Sequence, residues 1–445
     1  MNTVSPQGSG QLAPQKKSSS KRAVAAATAG CMLEWYDFAL YGYFSVLISR
    51  LFFPAESEWM SLLMAVATFG VGFAMRPVGA LVLGTIADRQ GRRVALSWTI
   101  AAMVVGTAII TFTPSYASIG IWAPALIVLA RLIQGFSAGG EMGTAVAFLL
   151  EHAPKQHRML FASFQQLTQL LALLLGSLVG AAVNGWLPTE ALESWGWRVP
   201  FALGLLIGPV GWYIRRHTDE PEEFKLALAA RKAASQSSPA PSPWSAIIHY
   251  PRETLAGFCI TVLWTVGTYF FLVYMPTYAT RELGLPGTAS LLSNSAALLV
   301  AVILVPLFSS LADRKGARGL LQCSAIIMLL ALYPLMAWLA RAPSVQTLVL
   351  VQCILAAILA AYTGPAGGAI ANLFPAHIRS TGISIAYNFA VTLFGGFAPF
   401  IATWLIGYTG STLSPIWYLG SAVLIAIAGA FILPKRTNTS LTPTY

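Results

Sequence analysis

The chain has 445 residues, 56 % of them hydrophobic and only 10 % charged, and its mean hydropathy is +0.67. That balance excludes an ordinary soluble globular domain. The net charge of +11 would suit a nucleic-acid binder, but the basic residues fall in short loops between apolar runs, where membrane topology accounts for them and implies no nucleic acid.

Residues 1–22 are polar and rich in Ser, Gln, Lys and Pro, the composition of a disordered N-terminus. No cleavable signal is evident, because the first apolar run continues beyond the length of a signal-peptide core. Twelve spanning helices follow, over 23–48, 60–83, 94–113, 121–149, 159–186, 198–214, 253–279, 288–311, 319–340, 345–373, 380–408 and 415–433. These are apolar runs of about 20 residues, the length that crosses a bilayer. Pro54, Pro114, Pro154 and Pro188 mark breaks between them. Residues 215–251, the longest loop, begin with mixed charge and end in Ser, Pro and Ala, as a helical stub and flexible linker would. They separate an N-terminal six-helix bundle over 23–214 from a C-terminal one over 252–434, with 435–445 left as a tail. With a cytoplasmic N-terminus, that side holds 21 Lys and Arg against 4 opposite, so both termini are expected in the cytoplasm of a cell whose inner membrane holds the protein. Cys31, Cys259, Cys323 and Cys353 lie in apolar runs without metal-type spacing and read as small buried residues.

A charged turn, Gly84-Thr-Ile-Ala-Asp88-Arg89-Gln-Gly-Arg92-Arg93, returns about half a chain later as Ser309-Ser-Leu-Ala-Asp313-Arg314-Lys-Gly-Ala-Arg318. Glu151-His-Ala-Pro154-Lys-Gln-His-Arg158 and Asn372-Leu-Phe-Pro375-Ala-His-Ile-Arg379 recur at nearly the same offset. Two unlike motifs with one spacing indicate an internal duplication, and duplicated halves in an apolar chain point to a transporter.

The first turn resembles the loop signature of the major facilitator superfamily, and Arg131-Leu-Ile-Gln134-Gly135 resembles its helix-four signature. Leu33-Glu34-Trp35-Tyr36-Asp37-Phe38, Met75-Arg76-Pro77-Val78-Gly79 and Trp195-Gly-Trp-Arg198-Val-Pro200-Phe201 are similar to motifs of the metabolite:proton symporters within that superfamily. Phe52-Phe-Pro-Ala-Glu-Ser-Glu58 and Val273-Tyr-Met-Pro-Thr-Tyr278 resemble the citrate and tricarballylate carriers among them. The resemblance covers 23–435. It implies an all-α membrane protein with the major facilitator fold, twelve transmembrane helices in two pseudo-symmetric six-helix bundles. It implies proton-coupled symport of a small organic acid by alternating access, with no cofactor and a monomeric carrier. Ser309 departs from the expected glycine, which would loosen the second turn. Helix five has Gly176-x-x-x-Gly180 and lacks the Gly-Pro signature of drug antiporters.

Five ionisable residues fall deep in predicted helices: Glu34, Asp37, Arg76, Arg131 and Glu141. Each costs roughly 2.5–3.5 kcal/mol at the bilayer centre, so each must pair or face water. Asp37 lies about 14 residues into helix one and Arg131 about 10 into helix four, which puts both near mid-depth at about 1.5 Å per residue. A pair between them would act as a proton switch, since burial favours a protonated carboxyl and a nearby guanidinium favours the ionised one. The resemblance to sugar–proton symporters implies the same coupling role; a static ion pair is the alternative. Glu34, one turn before Asp37, is a second proton site or a partner for Arg76 or for the surroundings of Glu141. Arg76 is expected to snorkel to the interface, with substrate contact as the alternative. Glu141 braces the Asp88 turn or relays protons.

For an anionic substrate Arg131 is the expected cation, because its fork matches a carboxylate. Gln134, Gln165 and Gln169 are its neutral helpers, and the second half offers Tyr269, Tyr274, Asn294, Tyr387 and Asn388, for each of which, taken alone, interhelical packing is the leading reading. Asp88 with Arg89 and Arg92, and Asp313 with Arg314, would latch helix ends as gates. Gly135, Gly139 and Gly143 in helix four, and Gly364 with Gly368 in helix ten, permit close helix contact. No phosphate-binding loop, metal-spaced His/Cys cluster or nucleophile elbow is present, so an enzyme is not expected. A betaine or proline carrier of the same fold is the alternative substrate reading, and a non-transporting membrane sensor the alternative of another class.

Overall fold

The computed structural model describes residues 31–32, 34–90, 92–139, 141–151, 153–154, 156–205, 208, 245–375 and 378–434. The expected disordered N-terminus, most of the linker and the C-terminal tail lie outside those residues, as do the side chains of Asp88, Arg89, Arg92 and Glu141.

Among the described residues the backbone forms twelve helical rods. The first, α1, is described over 31–32 and 34–43 and continues past Phe44 through Ser45–Phe52. Then come α2 (Glu58–Ala74, resumed as Arg76–Gln90), α3 (Arg92–Phe112), α4 (Trp122–Ala138, resumed as Glu141–Glu151), α5 (Arg158–Trp186) and α6 (described over 198–205). A short helix at Ser245–His249 lies within the expected linker and leads into α7, Pro251–Tyr269 with a π-helical turn at Phe270–Tyr274 and a last segment Met275–Arg281. The remainder is α8 (Gly287–Lys315), α9 (Ala317–Arg341), α10 (Val345–Ala371), α11 (Arg379–Ala390, a π-helical turn at Val391–Gly395, then Ala398–Thr409) and α12 (Pro415–Ile432).

Outward-facing apolar side chains, including Leu330, Phe431 and Trp417, are exposed, whereas α7 is buried along nearly its whole length. That distribution suits a molecule whose outer surface meets lipid instead of water. The cysteines divide accordingly: Cys31 is buried, but Cys323 is exposed and Cys259 and Cys353 only partly covered, because an apolar surface in lipid needs no burial.

Two prolines shape the seam between the halves. Pro77 in α2 has no N–H to offer the carbonyl of Phe73, four residues back. That carbonyl accepts instead from the Thr392 hydroxyl of α11 at 2.9 Å. Pro276 in α7 likewise leaves the Leu272 carbonyl without its helical donor, and the Tyr43 hydroxyl (2.9 Å) and Asn294 amide (3.1 Å) fill it. Each freed carbonyl thus bonds a donor of the opposite half, joined at Leu272 by one from its own. A helix break serves as a docking point between halves.

The halves touch at both ends. At the end bearing the Asp313 turn, the Asp313 carboxylate accepts from the first free N–H groups of α5, Met159 at 2.8 Å and Leu160 at 3.1 Å. Ser309, where a glycine was expected, is buried and donates to the Val305 carbonyl of its own helix at 2.7 Å. At the opposite end Ser45 meets Thr277 at 2.9 Å, Ser177 donates to the Leu291 carbonyl at 2.8 Å, Trp59 to the Thr403 carbonyl at 3.0 Å, and Arg281 pairs with Glu58.

Candidate functional site

The site is built where α2 and α4 cross backbone to backbone. A Cβ at Gly135 would drive into the Gly72 carbonyl, one at Gly139 into the Arg76 carbonyl, and one at Gly79 into the Phe136 carbonyl. With no side chains between them the helices close up, and Arg76 and Arg131 leave either flank of the crossing toward α1. Gly143, one turn on, meets Ser384 of α11, so the same small-residue ladder also seats the second half.

One cluster lies wholly within the N-terminal half. Arg131 is 0 % exposed, with its guanidinium 3.8 Å from the centre of the Tyr41 ring and 5.4 Å from that of Phe38. Its Nη1 donates to Gln134 Oε1 at 2.9 Å. Gln134 Nε2 in turn donates to Asp37 Oδ2, as does the Thr107 hydroxyl from α3. The expected direct Asp37–Arg131 ion pair is therefore replaced by a bridge: the Gln134 amide reads the guanidinium with its oxygen and the carboxylate with its nitrogen. Asp37 Oδ1, Arg131 Nε and Arg131 Nη2 have no hydrogen-bond partner. Gln134 is used up by the bridge.

The second cluster lies on the seam. Arg76 does not snorkel: it is 1 % exposed, and its Nη2 lies 3.0 Å from Glu34 Oε1, a buried ion pair between α2 and α1. A charge taken this far from water is tolerated because partner and rings surround it. Phe73 (4.6 Å), Trp35 (5.3 Å) and Phe38 (5.3 Å) present their faces to the guanidinium. From the other half Tyr269 of α7 and Tyr387 of α11 bring their hydroxyls into its field. Tyr269 stacks on Trp35 at 6.1 Å, and Tyr387 meets Trp264 edge-on at 5.5 Å. Trp264 donates to Gln166 Oε1 of α5 at 2.8 Å, and Gln165 beside it reaches Cys31 of α1 at 3.6 Å. Arg76 Nε, the Tyr269 hydroxyl, Thr268 Oγ1, Gln165 Oε1, Gln169 Oε1 and Asn388 Oδ1 have no hydrogen-bond partner. Buried polar atoms are rarely left so, and unpartnered donors and acceptors of this kind are what a polar, anionic ligand would satisfy. Asn388 is anchored through Nδ2 to the Gly139 carbonyl at 2.9 Å, which fixes its amide with the oxygen as the spare atom.

The remaining expected residues sit elsewhere. Tyr274 is spent on Thr403 at 2.7 Å. Asn294 binds Tyr43, Ser177 and the Leu272 carbonyl and accepts from Gln352 of α10 at 3.3 Å, a closed network toward the Arg281 end. Asp313 caps α5, and Arg314 beside it also has a partner. Tyr41 and Thr107 were not singled out from sequence, and Trp35 and Phe38 entered only as letters of the Leu33–Phe38 motif. Tyr41, four residues after Asp37, shares its helix face and was within reach of the periodicity rule; a threonine inside an apolar run carried no such signal.

The chain matches the family model described as "Sugar (and other) transporter" over residues 22–215 and again over 213–443. It is 36 % identical to the citrate-proton symporter of Klebsiella pneumoniae, across 94 % of this chain and 93 % of that one. It is 32 % identical to a putative proline/betaine transporter of Staphylococcus aureus strain COL, across 91 % and 86 %. The alpha-ketoglutarate permease of Escherichia coli K12 is 31 % identical across 93 % and 94 %. Among solved structures, the xylose transporter of E. coli in a partially occluded, inward-open conformation superposes with a TM-score of 0.73 at 18 % identity, over 95 % of this chain and 100 % of that one, a likeness of fold.

Proposed function

The chain belongs to the sugar (and other) transporter family of the major facilitator superfamily, and from that premise we propose that it carries a small organic acid, citrate or a related di- or tricarboxylate, into the cell together with protons. The observation that carries this reading is Arg76: a buried guanidinium on the seam, with a spare N–H and hydroxyls of the other half around it. A substrate carboxylate takes the donors of Arg76, Tyr269 and Tyr387 and so ties the two halves together while bound. Charge-assisted bonds of this kind contribute about 1.5–3 kcal/mol each. Gln165, Gln169 and Asn388 offer oxygens to a hydroxyl or carboxyl hydrogen on the rest of the molecule.

Protons are carried at Asp37, whose Oδ1 is free to take one while Oδ2 stays held by Thr107 and Gln134. Arg131 senses that change through the Gln134 bridge. Glu34 trades Arg76 with the substrate and is the second candidate for a proton. Closure at both ends suits an occluded step of alternating access, in which the Tyr43–Leu272–Asn294 contacts open toward one side and the Asp313–α5 cap toward the other. We place the termini and the Asp313 turn in the cytoplasm on the asymmetry of Lys and Arg. The bundles over 23–214 and 252–434 are the moving bodies.

Uptake of radiolabelled citrate by cells or proteoliposomes, with and without a protonophore, tests the proposal. Accumulation that collapses with the protonophore is expected; accumulation that ignores it removes proton coupling. Good betaine uptake with no citrate uptake would select the second reading, which the proline/betaine relatives and the rings of Trp35 and Tyr269 beside Glu34 favour.

A further inference from the structure

We propose that Phe38 is a positioning residue that couples the Arg76 site to the Asp37–Gln134–Arg131 site, by lending one aromatic ring to both guanidiniums. The inference rests on the reading above, an anion at Arg76 and a proton at Asp37. It goes further by naming what joins them.

Phe38 is 1 % exposed, and its ring centre lies 5.3 Å from the Arg76 guanidinium carbon and 5.4 Å from that of Arg131. Both distances are inside the range of about 6 Å over which a ring quadrupole attracts a cation. Among the described rings it is the one within that range of both: Trp35 and Phe73 serve Arg76, Tyr41 and Phe69 serve Arg131. Each guanidinium also has an N–H with no acceptor, Nε of Arg76 and Nε with Nη2 of Arg131. With those N–H groups unmatched, the rings carry more of the cations' stabilisation than they would beside fully bonded arginines. Phe38 directly follows Asp37 and stands one helical turn after Glu34, and Phe73 pins it at 4.9 Å.

One ring cannot follow two cations independently. When an anion draws Arg76 away from the rings, Phe38 is released toward Arg131, and the hold of Arg131 on the Gln134 bridge to Asp37 changes with it. Anion binding therefore alters proton affinity at Asp37. Reciprocity of linkage requires protonation to alter anion affinity by the same factor. The titratable and charged groups facing Asp37 are Arg131 from α4 and Tyr36 on its own helix; those facing Arg76 are Glu34 and Cys31 from α1, Tyr269 from α7 and Tyr387 from α11. Phe38 touches neither reacting atom.

The test is citrate binding by calorimetry to the purified full-length protein, at acidic and at mildly alkaline pH, in wild type, Phe38→Leu, Phe38→Tyr and Phe38→Trp. Wild type should change its Kd about tenfold or more between the two conditions, within the usual range of coupling between sites. Phe38→Leu fills similar space without a ring and should still bind citrate, with the change reduced to less than about threefold, while Tyr and Trp preserve it. Should the leucine variant not fold, Phe38→Met makes the same comparison. A Phe38→Leu or Phe38→Met protein that keeps the full wild-type pH dependence overturns the coupling alone. A wild-type protein that binds no citrate, or binds it identically at both pH values, overturns this inference together with the reading beneath it.

Discussion

Arg76 and Arg131 are both fully buried, both lie on aromatic faces, and both answer a carboxylate on α1. Arg76 pairs with Glu34 directly and borders the second half of the chain; Arg131 reaches Asp37 through an amide and is enclosed by the first half. On the function proposed above, the difference teaches how one bundle separates two tasks. A cation on the seam can be claimed by a ligand that both halves touch, whereas a cation inside one bundle can respond to a proton while that bundle moves as a body.

The sharpest way to break this comparison is Arg76→Gln. It strips the seam of its cation and breaks the buried pair with Glu34, a loss of about 3–5 kcal/mol. Citrate transport should fall by at least about a hundredfold, with Arg76→Lys recovering part of it. Transport near wild type in Arg76→Gln would move the substrate site elsewhere. Asp37→Asn should act differently: uphill accumulation disappears, while exchange of internal for external substrate stays within about threefold of wild type. Normal accumulation driven by a pH gradient in that variant would remove Asp37 from coupling. Asn294→Leu tests the seam itself. Losing the network to Tyr43, Ser177 and Gln352 should raise the reactivity of a cysteine placed near Ser45 severalfold toward an external thiol reagent, as the Arg281 end opens more often. Unchanged reactivity would show that this network does not hold that end shut. The smallest effect belongs to Glu58→Gln. Glu58 pairs with Arg281 and Arg50 at the rim, but its side chain is 64 % exposed, and exposed pairs contribute little. Uptake should change by less than about twofold, and a large loss would make the rim pair a true gate.

Much of the fold was legible in the residues. Helix length follows from the run of apolar side chains, so 159–186 anticipates Arg158–Trp186 and 345–373 anticipates Val345–Ala371. Depth was legible too, since rise per residue is fixed: Asp37 and Arg131 do share a level. The facing direction was not. A helix buried on all sides, such as α7, is apolar all round and carries no stripe from which to read its orientation. Arg76 was expected at the interface and Arg131 at the substrate for that reason. Tyr274 and Asn294 are occupied with neighbouring helices, as interhelical packing predicts, though spacing along the chain does not name their partners.

The sequence by itself determined that this is a duplicated, twelve-helix membrane protein with its buried charges in the first half, because hydrophobic length and the cost of a charge in lipid act on each segment separately. Only the tertiary structure decided which arginine stands on the seam. That choice rests on glycines 72, 79, 135 and 139 bringing two backbones into contact, and on Pro77 freeing a carbonyl for Thr392. Both are meetings of surfaces distant in the chain, and a linear pattern records the participants without recording that they meet.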